Sequence, residues 1–480
     1  MKYAFLSAVL LCSLASFGQE KENLKLNFPV TKYKLANGLT VLLHEDHTVP
    51  LISYHTWYRV GSRDEGPGIT GSAHMLEHMM FKGSKKYPGK AFDRLLHENG
   101  INNNAFTTYD YTGFYQSLPS SKLEMMMDIE VDRMSNLNLT PEDLNSEREV
   151  VKEERRWRVD NNPMGLLMES VMSTVFKVSN YRWPVIGYMK DIADYNIETL
   201  RQFHSTFYRP NNAILVLAGD FKIADAKKLI EKYYGPIPSG TAPGRTFSKE
   251  PAQERQRNSM VKRDVQGTSF TVSFQGTPSS SPEMYALDLA ANILGNGSSS
   301  RLHKRLVYIK QTATSAYSYH STMQDDGVFA VGVNMKPGTV MQESLELVYQ
   351  EIWKMRNKLV TDAELEKAKT QVMKELVDGL TTADGKARAL AVNEIVTGSY
   401  ENLFKDLDRY NSVTAEQIKD AANKYLNQKQ RNIVVLAPKS VEVKTLEVKP
   451  EAELKPEAPP KPEAEAKLQT EDSAAIKKDQ

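Results

Sequence analysis

An α+β protein built as two tandem, similar domains is expected from three features of the chain. Strand-type and helix-type stretches alternate, with hairpin turns among them. The second half repeats the order of the first. A helix runs into Tyr208, a polar turn at Asn211-Asn212 and the apolar strand 214–218; later a helix runs into Tyr425, Asn432 and the apolar strand 433–437. The two tyrosines are 217 residues apart, far beyond the roughly 20–50 residues of a solenoid repeat, so the repeated unit is a whole domain.

From the N-terminus, residues 1–18 read as an export signal. Lys2 is followed by an apolar run from Tyr3 to Phe17, and Ser16-Phe17-Gly18 is a small-x-small cleavage site. The run is shorter than the ~20 residues of a membrane span. A periplasmic or otherwise exported protein is expected, with no membrane span after cleavage; an uncleaved anchor is the alternative. Residues 33–35 and 39–43 flank Asn37-Gly38 as a hairpin. Residues 51–60 continue as strand, 69–82 take helical spacing, and 105–118 alternate again. Residues 121–159 and 191–208 read as helical, and 213–218 as a fully buried strand. These make an N-terminal domain over 28–240. Residues 235–256 are rich in Gly, Pro, Ser and charge, with the linker set at 241–256. A strand, turn and helix at 268–294 echo 51–79 and open a C-terminal domain over 257–440. Residues 441–480 are Lys, Glu, Pro and Ala, a composition that cannot bury a core and reads as a disordered tail.

The chain has 480 residues, of which 40% are apolar and 25% charged, enough for two or three domains. A net charge of +1 gives no global field for nucleic acid or acidic lipid. One cysteine, Cys12, excludes a disulfide framework and a Cys-ligated zinc. Metal or acid–base chemistry is left to His, Asp, Glu and Ser.

The informative segment is Gly71 to Gly83. His74, Glu77 and His78 stand at i, i+3 and i+4, on one helix face. Two imidazoles one turn apart can bind one zinc at ~2.0–2.1 Å, and a carboxylate beside them can take a proton from water. This is the inverted H-x-x-E-H arrangement. Met75, Leu76, Met79 and Met80 bury the helix, so its polar groups need partners, and a metal supplies them. His47, His55, His97, His204, His303 and His320 have no such neighbours and read as surface or core residues. A third ligand is required. The acidic helix offers Glu142, Asp143, Glu147, Glu149, Glu153 and Glu154, and spacing alone does not choose among them.

With Leu35-Ala36-Asn37-Gly38-Leu39, Gly61-Ser62, Asn104-Ala105-Phe106-Thr107, 147–154 and Tyr208-Arg209-Pro210-Asn211-Asn212, this segment resembles the insulinase/pitrilysin family of zinc peptidases, which includes mitochondrial processing peptidase. The likeness covers most of 30–440. It implies two tandem α/β-sandwich domains of the processing-peptidase type, the second inactive. It implies one Zn²⁺ per chain on His74, His78 and Glu154, the last 76 residues beyond His78. Glu77 is then the general base for zinc-activated water, and Glu147 supports the site. Asn104, Ala105, Phe106 and Thr107 become an edge strand that pairs with an extended substrate backbone. The implied activity is that of a metalloendopeptidase cleaving extended peptides or small unfolded proteins. A non-catalytic scaffold subunit is the alternative, against which stands the presence of His74, Glu77, His78 and Glu154 together.

The family's second half carries an Arg and a Tyr that grip substrate. The frame matches at Ser299, Arg301, Leu302, Leu306 and Gln311, yet the Arg position is Val307 and the Tyr position Thr314. Arg305 and Tyr317 are near, but only a register slip would put them in place. A chain of this length resembles one half of the larger members, so a dimer is implied. The expected partner is a homologous subunit supplying the Arg–Tyr pair, with a homodimer as the alternative.

Overall fold

In a computed structural model that describes residues 26–245 and 247–440, Asn37 and Gly38 reverse the chain as their sequence predicts. Gly38 sits at φ +94°, the left-handed region a β-carbon disfavours. The turn joins β1 (Thr31–Lys34) to β2 (Thr40–Glu45) in antiparallel register, Thr31 opposite Leu43. The expected export signal and the 441–480 tail lie outside the described residues.

The first sheet adds β3 (Leu51–Tyr58), β4 (Asn102–Thr107), β5 (Thr112–Pro119) and β6 (Ala213–Gly219), in the order β1-β2-β6-β3-β5-β4. The second sheet holds β7 (Arg257–Arg263), β8 (Ser269–Gln275), β9 (Ala313–Thr322), β10 (Gly327–Met335) and β11 (Asn432–Pro438), in the order β7-β11-β8-β10-β9. Each sheet has one parallel pair, β2 with β6 and β11 with β7; every other pairing is antiparallel. Leaving out β1, the strands therefore correspond one to one, as duplication requires.

The run Ala213–Gly219 is apolar throughout because both faces of β6 are covered. Ala213, Leu215 and Leu217 face the first core, while Ile214, Val216 and Ala218 face a second layer. That layer is a helix from the other half, Ala383–Val396, through Ala387, Leu390, Ala391 and Ile395. β11 is treated the same way in reverse. Val434 and Leu436 are covered by Leu167, Val171 and Met172 of the helix Pro163–Val175, which belongs to the first half. Each half thus lends a helix to the sheet of the other. The described part of 241–256 forms neither helix nor strand and is tied down. Glu250 accepts the backbone N–H groups of Lys177, Val178 and Ser179 at 2.7–2.9 Å.

Two long helical stretches are broken where the sequence reading ran them together. Residues 121–159 form the helix Leu123–Ser135, the acidic helix Pro141–Arg155 and a π-helical turn, Arg156–Asp160. Thr140 caps the acidic helix by accepting from Asp143 N–H, and Pro141 at its first position has no N–H to continue an earlier helix. Likewise 191–208 divides into Met189–Asp194 and Ile197–Phe207, the latter capped by Asn196. Among the described residues no helix is long and apolar enough to cross a membrane.

Candidate metal centre

His74, Glu77 and His78 lie on the short helix Ser72–Met79, whose apolar side buries Met75, Leu76 and Met79 in the first core. The helix begins after Gly71, at φ +88°, where a β-carbon would come within 2.4 Å of the Ile186 carbonyl oxygen. With no side chain there to cap the helix, the buried carboxylate of Glu65 does so from outside. It accepts Gly71 N–H at 2.6 Å and Ala73 N–H at 2.9 Å.

The acidic helix packs against this one and decides which of its carboxylates reach the rings. The imidazole centroids are 4.7 Å apart. Glu154 Oε2 lies 3.2 Å from His78 Nε2 and 3.7 Å from His74 Nε2, and one ligand atom from each of the three residues falls within 4.8 Å of the others. Glu154 Oε2 is buried without a hydrogen bond among the described residues. Its neighbours point with it at a common spot, which is what three ligands of one cation do. The donor set, two imidazoles and a carboxylate, suits zinc or a similar divalent ion. Glu142, Asp143, Glu149 and Glu153 are not in this cluster.

Burial, then the neighbouring His78, hold His74 down to about 3, so its ring is neutral and free to ligate. His78 behaves oppositely. Burial lowers it, but the hydrogen bond to Glu147 and the close negative charge of Glu154 outweigh that and raise it to about 9. A divalent ion bound there would take the place of that ring proton. Glu147 grips the far side of His78, with Oε1 2.9 Å from Nδ1, and its other oxygen pairs with Lys82. Glu77 stands apart from the three. Its carboxylate accepts a 2.6 Å hydrogen bond from Thr107 Oγ1 on β4, while burial raises its pKa.

β4 is the outermost strand of its sheet and pairs only with β5, so its other edge is open. Asn104, Ala105, Phe106 and Thr107 all line a cavity of about 890 Å³ that also contains His74, Glu77, His78 and Glu154. Asn104 Oδ1 turns back to accept Ala105 N–H, and Phe106 also packs edge-on against Trp57. The sequence reading missed other groups in this cavity, three of which bear on its chemistry. Arg158 pairs its Nε with Glu154 Oε1 at 2.9 Å as an ion pair, one helical turn on, a spacing that could have revealed it. Tyr109 and Tyr319 also line it, and nothing local marks them. Val307, by contrast, packs on the second core, and Thr314 donates to the Asn334 carbonyl oxygen. Arg305 bonds Gln350, and the Tyr317 ring covers Gly332. None of these four lines the cavity.

Two outcomes follow from these contacts. Glu147→Gln removes the charge that orients His78, and zinc affinity measured against a competing chelator is expected to fall about 10–100-fold. Thr107→Val removes a hydrogen bond that favours the ionised form of Glu77. The acid limb of kcat/KM is therefore expected to move to higher pH, since the carboxylate accepts protons only when ionised.

Two family models match the chain: insulinase (peptidase family M16) over residues 40–187 and peptidase M16 inactive domain over 194–372. Zinc protease PqqE of Helicobacter pylori is 29% identical over 437 residues, covering 90% of this chain and 98% of that protein. An uncharacterized zinc protease of Bacillus subtilis, YmxG, is 26% identical over 407 residues, covering 83% and 96%. Among solved structures, a protease from Helicobacter pylori superposes with a TM-score of 0.82 at 28% identity, covering 85% of this chain and all of that one.

Proposed function

This chain belongs to the insulinase family of peptidases, M16, and we propose that it is a zinc-dependent endopeptidase acting on extended peptides or small unfolded proteins. The observation that carries this reading is the meeting of His74, His78 and an unbonded Glu154 oxygen beside the separately held carboxylate of Glu77. A zinc ion held by the three supplies Lewis acidity, lowering the pKa of water and polarising the scissile carbonyl. Glu77 takes a proton from the attacking water and gives it to the leaving amine nitrogen. Thr107 holds Glu77 in place for both transfers, and Glu147 holds His78 from behind. The open edge of β4 pairs with the substrate backbone, a mode that binds extended chains with many different side chains.

Peptide is gripped in a dimer. Val307 and Thr314 leave this chain without an Arg–Tyr pair, so a homologous subunit supplies it. Residues 1–18 direct export. The deciding assay is hydrolysis of an unstructured peptide by the zinc-loaded chain, read by mass spectrometry. Cleavage should stop with a chelator and return with zinc. No cleavage at full zinc occupancy would leave a scaffold subunit in its place. Turnover of the chain alone is expected to be slow. Adding a second copy that carries Val307→Arg and Thr314→Tyr in a Glu77→Gln background should raise it. Full turnover by the unaided chain would overturn the heterodimer.

A further inference from the structure

The cavity that holds the zinc residues does not end at them. It extends to a wall made by both halves: Tyr109 and the helix Pro163–Val175 from the first, β9 and β10 from the second. Met168, Met172, Met323 and Val328 line that wall. Tyr109 and Tyr319 pack on the same inter-half cluster.

The two phenols are the unusual feature. Both tyrosines are only half-buried, their rings packed on that cluster while they line the cavity, so their hydroxyls are open to whatever fills it. Tyr319 OH has only the Met168 sulfur, at 3.7 Å, a weak acceptor. Tyr109 OH has no hydrogen bond among the described residues, although its ring is fixed edge-on against Tyr181 at 5.6 Å between centroids. Burial holds both groups well above the ordinary phenol range, so both remain protonated donors. Two rigid O–H donors thus lie in a cavity among methionines, and unbranched methionine chains reshape around whatever apolar group enters.

We propose that this end of the cavity is a substrate subsite remote from the metal. It takes a large apolar or aromatic side chain of the bound peptide, while Tyr109 and Tyr319 donate to carbonyl oxygens of the peptide backbone. This rests on the peptidase reading and adds to it. Pairing at β4 tolerates many sequences, whereas the inter-half subsite selects among them. The selection is made away from the scissile bond, because the wall belongs to the second half as much as to the first. Any peptide that uses it must be long enough to reach from β4 across to β9.

The test separates binding from chemistry. Zinc-loaded Glu77→Gln protein serves as the parent, so that peptide stays intact. It is titrated into a fluorescein-labelled unstructured peptide carrying one phenylalanine, moved along the sequence in a series, and into the serine counterparts. Anisotropy is expected to show tighter binding for at least one phenylalanine position. Tyr109→Phe and Tyr319→Phe should each weaken that complex by about 2–10-fold, with zinc content and thermal midpoint unchanged. In the otherwise wild-type enzyme the same changes should raise KM and leave kcat. Unaltered affinity in the double variant, with the wild-type chain cleaving peptide, would overturn the subsite and leave the peptidase standing. Failure of the wild-type chain both to bind and to cleave would remove the peptidase reading and the subsite with it.

Discussion

Glu77→Gln is expected to lower turnover by about 10²–10⁴-fold while zinc binding stays at one ion per chain. Glutamine fills the same volume and can still accept from Thr107 Oγ1, so the helix Ser72–Met79 has no reason to move. What it cannot do is accept and return a proton. Glu77 is also not one of the three converging residues, so metal affinity should be spared. Steady-state assay and metal analysis on the same preparation check both halves of the prediction. A variant that keeps more than a tenth of wild-type turnover would show that another group moves the proton. Loss of zinc in parallel would show that Glu77 is itself a ligand.

Glu154→Gln is expected to act the other way, through the metal. Its Oε2 is buried, unbonded and aimed at both rings. A neutral amide in its place gives up the only negative charge of the three-residue set. Zinc affinity should fall by more than the roughly 10–100-fold of an outer contact such as Glu147. The loss also has a stability readout. An ion that binds only the folded chain stabilises it by about 4 kcal/mol at a thousand times its Kd. Wild-type protein should therefore melt at clearly higher temperature with zinc than after chelation. The Glu154→Gln variant should show little difference at the same zinc concentration. Glu154→Asp, one methylene short of both rings, should fall between. An undiminished zinc response in Glu154→Gln would exclude this carboxylate as a ligand.

Much of the local structure could be read directly. Asn37-Gly38 between two apolar runs specifies a hairpin because few other residue pairs accept its backbone angles, and the hairpin is there. The apolar run 213–218 read as a fully buried strand, and it is covered on both faces; the strand 433–437 that echoes it is buried as well. The division of 121–159 was missed even though Thr140-Pro141 marks it, since helical periodicity was allowed to run across a cap.

Spacing along the chain by itself placed His74, Glu77 and His78 on one helix face, because the helical period is a local property. It left six carboxylates open on the acidic helix, and Glu147 and Glu154, seven residues apart, differ by about 10 Å along that helix. No single ion can be ligated by both, and only the crossing of the two helices settles which meets the rings and which lies behind His78. The tertiary structure alone also put Tyr109 beside Tyr319, more than 200 residues later, in the zinc residues' cavity. That meeting comes from two halves covering each other's sheets, and side chains brought together by packing leave no periodic trace in the sequence.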